Sequence, residues 1–363
     1  MGNQFLPGGR LKRLVVAASI VGITLPSAAA CGTSGGSPAD SSVDYNSLSV
    51  DQLYQKAKTE GTLTLYSALS DDDLKTITDG FDKTYPGIKV ERFQQQGEDS
   101  GAKMSEEARA GVYKADVLDA DQDVMYAVGQ SGLLAKYNAP VATDVNPELK
   151  KTYFTGYRLQ VKPISWNTSK VSAADAPTGY SDLLDPKYSG KICAEASEVS
   201  VFADMLQQMG QAQGVQFWKT LTSHGLRFVD GQTNLVQSLI SGDCPIAVSA
   251  NVHTVAKNIS KGAPMAWLKT DPLYANYDGV GVAAKAPHPY AARLWVNYVL
   301  SQTGQQAIAD AWRVPANKTV QPKEKELQNN NYTLVLAGDD VMTNYAKLNA
   351  LWYTTTNRPV VGG

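Results

Sequence analysis

The chain has 363 residues, 43% hydrophobic and 19% charged, with a formal net charge of −2. That length exceeds what one small core usually takes and points to two lobes or domains in an ordinary soluble globular protein. The 33 basic and 35 acidic residues form no Lys/Arg block, which speaks against a nucleic-acid surface.

At the N-terminus, Arg10, Lys12 and Arg13 precede an apolar run from Leu14 to Leu25, closed by Pro26. The run is too short to span a bilayer and reads as a secretory signal. It ends in "SAAAC", with Cys31 directly after three alanines. The pattern resembles a bacterial lipobox, in which the cysteine is lipidated and becomes the mature N-terminus; the other reading is an ordinary signal peptide. Residues 1–30 are therefore expected to be removed. That leaves 33 − 3 = 30 basic against 35 acidic side chains, a net of −5. The Gly/Ser-rich stretch "GTSGGSPADSS" cannot bury enough apolar surface to fold and reads as a flexible tether. With Cys31 it defines an anchor-and-tether segment over residues 31–50.

From Gly61 onward strands and helices alternate. "TLTLYS" predicts a strand. Residues 71–84 predict a helix with Leu74, Ile77 and Phe81 on one face, and "GIKVERF" predicts the next strand. A polar helix around "SEEARAG", the strand "ADVLDAD" and the helix "DVMYAVGQSGLL" follow. A second set comprises "KPISWNTS", "GKICAEA", helices over 198–212 and "VQFWKTLTSHG", "LRFVD", a helix over 232–241 and "PIAVSA". "GVGVAAKA" reads as a late strand, and "PYAARLWVNYVLS" and "GQQAIADAW" as late helices. Repeated β-α-β units imply mainly parallel sheets covered on both faces. Ligands of open α/β sheets sit beyond the carboxyl ends of strands, so loops 66–70, 119–123, 195–200, 230–233 and 250–254 are candidate cleft walls. Cys193 and Cys244 lie in or beside predicted strands. Outside the cytoplasm an even pair favours a disulfide, with buried thiols or a metal pair as the alternatives.

The phrases "GTLTLYSA…FDKTYPGIKVE", "GLLAKYNAP", "ISWNTSKV", "YSDLLDPKYSGKI", "SGDCPIAVS" and "PHPYAARLWVNYVLSQTGQQAI" occur in that order. Together they resemble the extracellular solute-binding proteins of bacterial ABC importers, in the ferric-iron and small-anion branch. The resemblance covers roughly residues 60–320. It implies an α/β, two-lobe periplasmic-binding-protein clamshell, type II-like, with mainly parallel sheets and two crossing strands. Lobe 1 would comprise 51–161 plus 281–320, lobe 2 162–280, and 321–363 a C-terminal helical segment packing on the lobes.

Several residues could build the site. Tyr66, Ser67 and Ser70 lie where the first strand meets the first helix, and a helix N-terminus with hydroxyls suits an anion. Ser70 also reads as the helix cap. Ser197 and Ser200 bracket a similar helix start. Asp121, with Asp119, ends a strand; the two could bind an amine or metal, or cap the helix that follows. Trp166 either packs in the crossing region or stacks on a ligand. The resemblance places the ferric binders' tyrosine pair near "SANVHTVAKN", where this chain has Asn251, Val252 and His253. Those phenolates supply the hard oxygen ligands ferric iron prefers. Tyr274 and Tyr277 in "DPLYANYDG" could hold a hard cation if they turned inward; otherwise that stretch is a surface loop.

No Gly-x-Ser-x-Gly stands at a strand-to-helix turn, and no Walker loop or His-Glu-x-x-His occurs, so no enzyme, catalytic residue or resident cofactor is expected. The resemblance implies a membrane-tethered, extracytoplasmic, monomeric receptor that hands a small solute to ABC permease and ATPase subunits. Ferric iron or an iron complex is the leading cargo. A small organic anion such as a phosphonate, or a phosphorylated or carboxylated compound, is the alternative. A receptor serving a membrane sensor is a further one.

Overall fold

The computed structural model describes residues 43–94 and 97–358. Cys31 and the segment before it lie outside the described residues. Helix α1 (Val50–Glu60) falls ahead of the first expected strand, where the pattern predicts no element. Ser49 and Gln52 form a reciprocal capping box at its start, and Gly61 ends it at φ 71°, a left-handed conformation suited to glycine. Strand β1 (Thr62–Ser67) leads into α2 (Asp71–Thr84), whose Leu74, Ile77 and Phe81 are buried. The chain continues through β2 (Lys89–Gln94), α3 (Gly97–Arg109), β3 (Val117–Asp121) and α4 (Gln122–Gln130). Then β4 (Thr155–Val161) leaves the first sheet and β5 (Ile164–Asn167) enters a second.

The second unit contains β6 (Ile192–Glu195), α5 (Val199–Met209), α6 (Gln211–Ser223), β7 (Arg227–Val229) and α7 (Gln232–Ser241). It closes with β8 (Ile246–Ala247), α8 (Val252–Ile259) and β9 (Met265–Leu268). The chain then returns as β10 (Leu273–Val282), followed by α9 (Pro289–Leu300), α10 (Gln302–Asp310), β11 (Val314–Pro315), β12 (Leu334–Leu336), α11 (Asp339–Thr343) and α12 (Tyr345–Thr355). Among the described residues no helix is long and apolar enough to cross a membrane.

The first sheet has the order β11-β4-β10-β3-β1-β2, with β12 on β10; the second is β7-β6-β8-β5-β9. Both are mixed. β1 runs parallel to β2 and β3, and β6 to β7 and β8. The antiparallel pairs involve the strands that carry the chain between lobes: β4 leaves as β10 returns, and β5 enters as β9 departs. Strands passing in and out side by side must run in opposite directions, a constraint that β-α-β patterning does not contain.

One boundary and the content of one segment differ from expectation. Residues 273–282 pair with β3 and β4 in the first sheet, so the return crossing lies at 269–272, before β10, and not near 281. All ten β10 residues are buried; with both faces covered the strand shows no alternation, and "DPLYANYDG" is not a surface loop. The C-terminal segment also contains a strand, β12, hydrogen-bonded to β10.

Each lobe has its own aromatic centre. Phe81 lies 5.1 Å from Trp295 and 5.3 Å from Tyr298 in the first. In the second, Trp352 of α12 meets Trp218 edge-on at 4.9 Å and Phe202 at 5.3 Å. Its Nε1–H donates to the Ala196 carbonyl. Cys193 and Cys244 form a disulfide with Cα atoms 6.0 Å apart, tying β6 to the end of α7.

Candidate functional site

A cavity of about 860 Å³ opens between the lobes. Each of the five loops at the strand ends contributes to its wall: Ala68 and Ser70, Asp121, Glu195, Asp230 to Asn234, and Asn251 with His253 and Thr254. Two crossing strands supply the floor through Arg158 and Gln160 of β4 and Asp278 of β10.

The floor follows from strand register. Arg158, Asp278 and Asp121 are direct cross-strand partners in one row over β4, β10 and β3. A β-bulge lies at Asp278/Gly279, a device that commonly re-aims side chains at sites. Arg158 Nη1 lies 2.5 Å from Asp278 Oδ2, Nη2 3.5 Å from Asp119 Oδ1, and Nε donates to the Tyr157 hydroxyl at 2.9 Å. Gln160 Nε2 donates to Asp121 Oδ1 at 2.8 Å and to Asp278 Oδ2 at 2.7 Å. Like charges opposite each other on a sheet repel; here the guanidinium and the shared amide donor hold them. Burial, then the neighbouring Asp278 charge, pushes the Asp121 carboxyl well above the usual carboxylate range.

The second-lobe wall is built from two helix N-termini. Neither α7 nor α8 has a side-chain cap, and their first residues line the cavity. Such termini favour anions through free N–H groups and the helix dipole. Glu195 sits beside α7, accepting from Gly231 N–H and from both the N–H and hydroxyl of Ser197.

Contacts join the two walls. Asn251 Nδ2 donates to Gln160 Oε1 at 3.3 Å, and Lys257 Nζ lies 3.2 Å from Asp73 Oδ1. Arg313 is held by Asp73 through Nε and Nη2, and its Nη1 lies 2.6 Å from His253 Nε2. At the crossing itself, buried Lys162 pairs with buried Glu198.

Of the residues singled out from sequence, Ser70, Asp121, Asn251 and His253 line the cavity. Ser70 also caps α2, accepting Asp73 N–H at 3.4 Å. Asp121 makes no capping bond to α4. Ser67 does not reach the cavity; it is fully buried and donates to Asp119 at 2.5 Å. Tyr66 turns to the other side of the strand, its hydroxyl on Glu107 and its ring 4.8 Å from Phe93. Ser197 serves Glu195, and Ser200 accepts from Asn276 Nδ2 at 3.5 Å across the lobes. Trp166 packs against the second-lobe core. Tyr274 and Tyr277 are not brought together. Three residues apart on β10, they point to opposite faces; Tyr274 meets Tyr180 at 5.0 Å, while Tyr277 packs in the first-lobe core. Among the described residues no tyrosine lines the cavity. Among the described residues no set of three or more His, Cys, Asp or Glu side chains is placed to hold a metal ion.

Arg158, Gln160 and Arg313 escaped the sequence reading. One signal was present: in "GYRLQV", Arg158 and Gln160 are two apart inside a strand and so share a face.

The family described as bacterial extracellular solute-binding protein matches residues 76–333. Iron uptake protein A1 of Synechocystis sp. (strain ATCC 27184 / PCC 6803 / Kazusa) is 21% identical over 262 residues, covering 64% of this chain and 72% of that protein. Among solved structures, iron-bound HitA from Pseudomonas aeruginosa superposes with a TM-score of 0.70 at 20% identity, over 81% of this chain and 99% of that one. AfuA from Actinobacillus pleuropneumoniae, with exogenous fructose-6-phosphate bound, gives 0.70 at 18% identity, over 82% and 99%. With the two-lobe fold, the crossing strands and the polar cleft between them, the family match settles the classification: this chain belongs to the bacterial extracellular solute-binding proteins.

Proposed function

We propose that the chain captures a ferric complex, an Fe(III) ion wrapped in an organic anion, and delivers it to the permease of an ABC importer. One observation carries this reading: the two walls of the cleft differ in character. The first-lobe floor offers the carboxylates Asp121 and Asp278, while the second lobe offers the start of α8, which has no side-chain cap, and the start of α7, beside which lie Glu195 and Asp230. A ferric chelate has a hard cation, suited to carboxylate oxygen, and an anionic periphery, suited to helix N-termini. With two floor carboxylates and no phenolate, the ion must bring most of its own oxygen shell. The iron-binding names of the Synechocystis and Pseudomonas relatives support iron as cargo.

A second reading is the organic anion without iron, favoured by Arg313 and His253, which meet across the cleft, and by the sugar phosphate in the AfuA structure. On either reading no bond of the solute is broken, the lobes close by a hinge, and the "SAAAC" segment supports a lipid anchor at Cys31 on the extracytoplasmic face. Native mass spectrometry of protein purified without added solute, with a visible spectrum, tests the proposal. An adduct of the mass of an iron chelate, without a tyrosinate-to-iron charge-transfer band, is the expected result. Such a band would place iron on phenolates and overturn the proposal; an iron-free adduct selects the second reading.

A further inference from the structure

Resting on the reading of the cleft as a solute site, we infer that the start of α8 presents one acceptor and one donor of fixed polarity, Asn251 Oδ1 and His253 Nδ1–H. Together they select a solute carrying a hydroxyl beside an anionic oxygen.

The polarity follows from hydrogen-bond chemistry across the lobes. Arginine donates only, so the Arg313 Nη1 contact at 2.6 Å makes His253 Nε2 an acceptor. A neutral imidazole then carries its proton on Nδ1. Burial, with the Arg313 charge next to it, holds the ring neutral. The same step fixes Asn251. Gln160 faces two carboxylates, so its amide nitrogen points to Asp121 and Asp278 and its Oε1 must accept from Asn251 Nδ2. Asn251 Oδ1 is left as an acceptor without a partner among the described residues.

Both atoms are buried, and among the described residues neither has a hydrogen-bond partner. The two side chains are each 5% exposed and line the cavity. Buried donors and acceptors are normally satisfied, and an unmet one costs the protein its desolvation. A solute that accepts from His253 and donates to Asn251 removes both deficits at once. A metal ion removes neither: Nε2 is engaged, and Nδ1 binds a metal only after losing its proton. His253 is thus a recognition donor rather than a metal ligand.

Two measurements test this. Long-range ¹H–¹⁵N correlation on the full chain, which has three histidines, assigned with His253→Asn, should show His253 protonated at Nδ1 only. A proton on Nε2 overturns the inference whatever the solute. Calorimetry with citrate, ferric citrate, fructose 6-phosphate and tricarballylate (citrate without its hydroxyl) tests the class. The wild-type protein should bind at least one of the three hydroxylated probes and, where citrate binds, prefer it to tricarballylate; Asn251→Leu should erase that preference. His253→Leu should weaken binding roughly ten- to hundredfold, as for a lost bond to a charged acceptor, while His253→Asn, which keeps a donor at the Nδ1 position, should stay within a few fold. Undiminished binding by His253→Leu overturns the inference and leaves the solute-receptor reading standing. Failure of the wild-type protein to bind any hydroxylated probe overturns the assigned class, and lobe closure around another solute then decides the receptor reading separately.

Discussion

Replacing both Cys193 and Cys244 by alanine removes the cross-link between β6 and the end of α7. The bridge spans 51 residues of sequence, a segment containing α5, α6, β7 and α7. Chain-entropy bookkeeping for a closed loop of about that length gives about 4 kcal/mol at 25 °C. The enclosed segment carries Glu195 and residues 230–234, most of the second-lobe wall, so the effect should reach solute binding. Urea denaturation followed by tryptophan fluorescence is the assay, because Trp218 lies within the bridged loop. At a slope of about 2–3 kcal/mol/M the midpoint should fall by about 1.3–2 M. A fall below about 0.4 M would refute the reasoning, as would peptide mapping that finds both thiols free in unreduced protein.

Further consequences are local. Lys162→Met strands the buried Glu198 carboxylate at the crossing, where the pair is 4% and 2% exposed. It should cost about 3–5 kcal/mol, with most of it recovered in Lys162→Met/Glu198→Gln; a single-variant cost under about 1 kcal/mol in denaturation would contradict the pairing. For Asp121 the folded value is raised. Its neutral form is the one the fold favours, so that stabilisation is complete below the ordinary carboxylate range and is lost as pH rises through the raised value. Asp121→Asn should therefore be more stable than wild type at neutral pH, by about 1 kcal/mol, with the advantage closing in acid; thermal melts across pH check it. Asp73→Asn frees Arg313 and Lys257 and should weaken lobe closure by about 1–2 kcal/mol, lowering solute affinity about five- to thirtyfold in calorimetry without moving the urea midpoint of the second lobe.

The elements that fold on local pattern were legible. Helix α2 shows its apolar face at Leu74, Ile77 and Phe81, and β1 and β3 read as strands because they are short apolar runs ahead of helix starts. The strand-end loops followed from the general placement of ligands in α/β sheets. What stayed hidden depends on long-range pairing. β10 looked like a loop because Asn276 and Asp278 interrupt it, yet those polar residues are there because the strand passes under the cleft. Ser67 looked like a first contact, but a side chain inside the last residue of a central strand points into the core, where it positions Asp119. His253 was found, while its tautomer is set by Arg313, 60 residues away.

Lobe closure around a solute is the central claim, and small-angle X-ray scattering measures it directly. With a solute that calorimetry shows bound at saturation, the account predicts a smaller radius of gyration than for the free protein, with the change lost in Asn251→Leu/His253→Leu at the same solute concentration. Superimposable scattering curves for the free and saturated wild-type protein would contradict it.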